Sequence, residues 1–162
     1  MEWLQRLDRL IGHIVAGAQW LALPLIVLLF LQWPLRDLVG AYSREANDLG
    51  QIFFAALVAV SFTAATRAGT HLAADTLARR YSARTRRRLK RLGTAFGIVP
   101  WAVFVVFAGA NLVLSSIKGF EAFAETGNPG YFLIKAALWI MAFLILAQSV
   151  VDIFHSSPAD DV

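Results

Sequence analysis

The chain has 162 residues, 58% of them hydrophobic, and a mean hydropathy of +0.60. That is more apolar than a soluble domain with a water-facing surface allows, so a bilayer is the solvent that fits. The absence of cysteine excludes disulfides, iron–sulfur clusters and thiolate catalysis.

Crossing about 30 Å of hydrocarbon takes roughly 20 helical residues, so four spans and their connectors use up nearly the whole length. The spacing predicts an all-α integral membrane protein with a single domain over 1–162 and spans at approximately 10–35, 49–67, 92–117 and 131–152. The first uncharged run is Leu10 to Leu35. Arg6 and Arg9 before it, and Ala16-Gly17-Ala18 within it, imitate a secretory signal, but the apolar run is too long for one. Pro24 predicts a kink, tolerated where neighbouring helices re-satisfy the backbone. Gly12 with Ala16, and Gly17 with Leu21, form a small-residue patch for close helix approach.

Arg36 to Asp48 is a charged connector, and Asp48 with Gln51 reads as a capping box opening the second helix. The second span, Leu49 to Thr66, is charge-free, and its helix can extend past Arg67 toward Asp75. Arg67, His71 and Asp75 then fall at i, i+4 and i+8 and form a polar strip suited to structure or docking. From Arg79 to Arg91 there are eight basic residues and no acidic one: Arg79, Arg80, Arg84, Arg86, Arg87, Arg88, Lys90 and Arg91. Between two spans, such a cluster fixes topology and binds anionic phospholipid headgroups; a nucleic-acid role fits its position poorly. Ser82 is placed to cap the helix that follows. The third span, Leu92 to Ile117, carries Pro100, where it is expected to bend. Lys118 to Gly130 is a connector ending in the turn cluster Gly127-Asn128-Pro129-Gly130, and Tyr131 to Val151 is the fourth span.

Positive charge in short loops stays on the cytoplasmic side. The basic stretch, with Arg6 and Arg9, therefore predicts both termini inside and an extended basic cytoplasmic connection between helices 2 and 3. Lys135 enters the fourth span from the outer side, where it snorkels outward or pairs with Asp48 or Glu45; these three are the candidate outer-side interaction residues. Gln19, Asn111 and Gln148 are intramembrane amides expected to bond between helices.

Catalytic readings fare poorly. Ser61, Ser115, Ser116 and Ser149 have no histidine at matching depth, so no catalytic residue is assigned. Bis-histidine haem requires facing imidazoles, and His13, His71 and His155 instead sit near helix ends, so no cofactor or metal is expected. No internal repeat and no span broken into half-helices is visible, which argues against a self-sufficient transporter. An autonomous homo-oligomeric four-helix transporter or channel, with Lys135 or Asp48 lining a path, is the alternative.

The second span and its exit, Phe53-Phe54-Ala55-Ala56-Leu57-Val58-Ala59 and then Arg67-Ala68-Gly69-Thr70-His71-Leu72-Ala73-Ala74-Asp75, together with Pro129-Gly130-Tyr131-Phe132-Leu133-Ile134-Lys135, resemble the small membrane subunit of tripartite ATP-independent periplasmic (TRAP) transporters, the DctQ-like family. The matching positions are Arg67, Gly69, His71, Leu72 and Asp75, and the resemblance covers about residues 5–155. A proline usual in the family's fourth helix is replaced here around Leu138-Trp139. The resemblance implies a scaffold subunit in the bacterial inner membrane. Its expected partners are a large elevator-type TRAP subunit holding the sodium and substrate sites, a periplasmic substrate-binding protein that delivers an organic acid, and membrane phospholipids.

Overall fold

The computed structural model describes residues 2–40, 43–68 and 81–154. Among them every regular element is helical, and four helices are long and apolar enough to cross a membrane. The first span is α1 (Glu2–Ala18), a 3₁₀ turn at Gln19–Leu21 and α2 (Ala22–Val39). The second is α3 (Arg44–Ala68). The third joins α4 (Ala83–Gly93), a π-helical turn at Thr94–Ile98, α5 (Val99–Ala108) and α6 (Ala110–Lys118). The fourth is α7 (Tyr131–Phe154).

Two of the interruptions go with prolines, whereas the break at Gly109 has none and Pro34 stands inside α2 without one. Pro24 lacks the N–H that would bond the Trp20 carbonyl, and its ring clashes with that group in a regular helix. The chain tightens to 3₁₀ geometry there, with the Ala22 N–H donating to the Gln19 and Trp20 carbonyls. Pro100 has the same conflict with Phe96. It is met differently, by widening to a π turn whose Val99 N–H bonds back to the Thr94 carbonyl.

The second helix starts earlier than the capping-box reading places it. Ser43 Oγ accepts from the Ala46 N–H at 3.2 Å, so α3 begins at Arg44 and Asp48 lies a turn inside it. Ser82 caps α4, accepting from the Thr85 N–H at 3.3 Å.

The packing order is set by small residues. α3 and α7 form the most extensive helix pair, burying Ala59, Val60 and Thr63 on one side and Ala137, Ala142, Ile145 and Ser149 on the other. Ala142 and Ser149 are fully inaccessible, and such short side chains let backbones approach where lipid gives no hydrophobic drive. The first span lies along α3 and touches α7 through α1; the third packs on α7. Only 6% of the apolar window of the first span is buried, against 39% for the fourth, so the first span is peripheral and α7 central.

Gly109 brings the backbone of the third span close against α7. A Cβ there would lie 2.9 Å from the Val105 carbonyl and 3.2 Å from Leu138 Cδ2. Beside it, Trp139 Nε1 donates to the Val106 carbonyl at 3.1 Å, satisfying a group in the last turn of α5.

Candidate functional site

The ion-paired networks between the described elements gather at the two ends of the bundle. At the end where α1 begins and α3 and α7 finish, Arg67 is the hub. Its Nη1 donates to Asp8 Oδ1 at 2.7 Å, to the Asp8 carbonyl at 3.2 Å and to Gln148 Oε1 at 2.9 Å. Gln148 Nε2 in turn donates to Asp152 Oδ1 at 3.0 Å. Three spans are thereby tied through one guanidinium. Gln148 is 3% exposed, so its amide depends on these partners; Arg67 and Asp8 keep 26% and 36% of their side-chain surface. Gly12 lies against this network, the place of a Cβ falling at an ordinary contact distance of 3.5 Å from Arg67 Nη2. The small-residue patch of the first span is thus filled, at Gly12, from within the chain.

Of the expected polar strip, only Arg67 is placed; His71 and Asp75 lie outside the described residues, as do Arg79, Arg80 and His155. Sequence reasoning missed Asp8 and Asp152. The available signal was Asp152 one helical turn beyond Gln148, and Asp8, with Glu2 one of two acids at the matching end of the first span.

At the opposite end, the connector 119–130 is folded down onto α3 and α7. Asp48, 7% exposed, accepts from Thr126 Oγ1 at 2.6 Å and Asn128 Nδ2 at 3.4 Å, both on Oδ2. Lys135 Nζ donates to Glu121 Oε2 at 2.5 Å and lies 5.2 Å from the centre of the Tyr131 ring. This corrects the pairing expected from sequence. Lys135 takes Glu121 rather than Asp48 or Glu45, because the connector brings Glu121 back over the start of α7, the Phe132 N–H bonding the Glu121 carbonyl at 3.3 Å. The Lys135 ammonium holds the Glu121 carboxyl below its ordinary value of 4.5.

Phe123 is buried and meets Tyr131 edge-on, and Phe120 meets Phe132 the same way. Gly130, at φ +140, lets the backbone pass close to Ile52, whose Cδ1 would lie 3.3 Å from any Cβ. Phe120 adopts φ 44, a left-handed conformation unusual for an aromatic residue, and remains 70% exposed. Asp48 and Lys135 are therefore committed inside the chain. Glu45, Phe120 and Glu125 face outward, Glu45 accepting from Ser43 Oγ.

Gln19 and Asn111 depart from expectation. Both are exposed on the bundle exterior and make no side-chain hydrogen bond among the described residues. Ser61 and Ser115 bond back to the Leu57 and Leu112 carbonyls, Ser149 is buried with no hydrogen-bond partner among the described residues, and the buried Ser116 hydroxyl helps hold the Glu121 carboxyl low.

A family model described as "Tripartite ATP-independent periplasmic transporters, DctQ component" matches residues 25–158. The chain belongs to the DctQ family. It is therefore the small membrane subunit of a TRAP transporter, a transporter component and not a member of an enzyme family. The match begins inside the first span and runs through all the others, so both polar locks except Asp8 fall within it. Searches of curated proteins and of solved structures give no match.

Proposed function

We propose that this chain is the static scaffold of a sodium-coupled TRAP importer in the bacterial inner membrane. It is one four-helix unit with both termini in the cytoplasm, bracing a large elevator-type subunit that carries an organic acid handed over by a periplasmic binding protein. The observation that supports this most is the combination of the family match with the way the polar groups are used. Arg67, Gln148, Asp48 and Lys135 are all tied to neighbouring elements of the same chain. A scaffold needs such locks, whereas a conduit needs polar groups turned toward a path.

The lopsided basic charge supports the orientation. Arg84, Arg86, Arg87, Arg88, Lys90 and Arg91 share the membrane face at which Arg67 ties the termini of the first and fourth spans. The lightly buried first span, with Gln19 at its middle, and the third, with Asn111, offer faces to the large subunit, whose polar groups would complete the two amides. Arg67, His71 and Asp75 extend this role at the inner surface, and Glu45, Phe120 and Glu125 present an outer surface to the binding protein.

Co-expression with the large subunit tests the proposal. A stoichiometric complex that survives purification is expected, weakened by Gln19→Leu with Asn111→Leu. Self-assembly into a transport-competent oligomer without a companion would instead establish an autonomous transporter. Replacing residues 119–128 by a neutral linker is expected to impair binding-protein docking while insertion persists.

A further inference from the structure

The cytoplasmic extension of the third span has chemistry that the scaffold role does not use. α4 carries six basic residues and no acidic one. Arg84 and Arg86 lie in its first turn, at the positive end of the helix dipole, and Arg84 and Arg88, one turn apart, repel each other.

The helix presents two different faces as it runs into the third span. The face carrying Thr94, and Ala102 further along, is buried against α7. The other side carries Leu89, Leu92 and Phe96, which follow one another at helical spacing and are 52%, 53% and 78% exposed. Arg84 and Arg88 stand immediately beside this apolar stripe, both exposed and making no ion pair or hydrogen bond among the described residues. The stripe continues into the membrane-crossing part of the helix, whereas the two guanidinium groups sit at its surface end. A phosphate above and hydrocarbon below is the profile of a phospholipid.

We propose that Arg84 and Arg88 hold the headgroup phosphate of an anionic phospholipid whose acyl chain lies along Leu89, Leu92 and Phe96. The two positive charges attract a phosphate, and the lipid brings Arg84 and Arg88 the negative charge that no described residue gives them. A zwitterionic lipid cancels that charge with its own ammonium group. The site does not depend on which leaflet α4 faces or on the identity of the protein partner.

Native mass spectrometry of the full chain, released from detergent with added lipid, tests this. Phosphatidylglycerol is expected to be retained at least about tenfold more strongly than phosphatidylcholine of the same chains. Each arginine contributes about fivefold near an anionic surface, so Arg84→Gln with Arg88→Gln should weaken that retention by about thirtyfold. Arg84→Lys with Arg88→Lys should keep most of it, which separates lost charge from lost fold. Equal retention of the two lipids by the wild type overturns the proposal. So does an equal loss from Arg6→Gln with Arg9→Gln, which would indicate diffuse attraction, and so does displacement by millimolar inorganic phosphate, which would indicate a soluble-anion site. A dimer lost in the Gln pair without any change in lipid retention would show that a second copy covers this face.

Discussion

Replacing Arg67 by alanine removes the one side chain that, among the described residues, hydrogen-bonds both Asp8 and Gln148, and its cost can be worked from the geometry. The guanidinium makes three hydrogen bonds at 2.7, 2.9 and 3.2 Å, two of them to Asp8. A hydrogen bond to a charged group contributes about 1.5–3 kcal/mol when sheltered. Simple addition overshoots, because Arg67 and Asp8 retain 26% and 36% of their side-chain surface and Asp8 can rehydrate. Gln148 cannot, at 3% exposure, so the orphaned Oε1 adds a desolvation penalty of about 1–3 kcal/mol. The expected loss is about 2–4 kcal/mol for Arg67→Ala. Arg67→Lys should lose less, since an ammonium keeps one partner but does not span both. Reversible unfolding in mixed micelles, followed by far-ultraviolet circular dichroism, measures these differences. A double-mutant cycle between Arg67→Ala and Gln148→Ala should give a coupling of about 1 kcal/mol or more. Destabilisation by Arg67→Ala of less than about 0.5 kcal/mol, or strictly additive single variants, would refute the view that this residue ties three spans together.

Other outcomes follow from single contacts. Ser43→Ala should cost about 1 kcal/mol through the lost cap of α3, measured in the same unfolding assay, whereas Gln51→Ala should cost little. Gly109→Val should destabilise by about 1–3 kcal/mol, because its Cβ would press on Val105 and Leu138, and the loss should shrink when Leu138 is shortened to Ala. Trp139→Phe should cost about 1 kcal/mol through the freed Val106 carbonyl, with a loss of indole fluorescence intensity as the spectroscopic check. The Glu121–Lys135 lock should depend on pH. The carboxyl is depressed in the folded state, so its contribution is complete above its ordinary value of 4.5 and is lost as the pH falls through the lower folded value. Glu121→Gln should therefore be destabilising at neutral pH and converge on the wild type in acid.

The four spans were legible because length and apolar continuity are encoded locally: twenty uncharged residues can do little else than cross a bilayer. The prolines were equally legible as sites of disturbance, but not the choice between a 3₁₀ turn before Pro24 and a π turn before Pro100, which depends on packing against α3 and α7. Pairing was the harder problem. Lys135 has three acids near its depth, Glu45, Asp48 and Glu121, and only the fold of the connector selects Glu121. Asp48 looked like a helix cap because Gln51 lies three residues on, yet Ser43 had already supplied the cap one turn earlier. Gln148 was legible as an interhelical amide; Gln19 and Asn111 have the same residue chemistry but face outward, and burial is a tertiary property. The Asp8–Arg67 link joins residues 59 positions apart, beyond the reach of any local pattern.

Transport by defined components is the most direct test of the scaffold role. The large subunit should be reconstituted in liposomes with its binding protein and a sodium gradient, with and without this chain, alongside this chain alone. Solute should accumulate only when all three proteins are present, and the small subunit by itself should carry no flux. Uptake by the small subunit alone, or full uptake when it is omitted, would contradict that role.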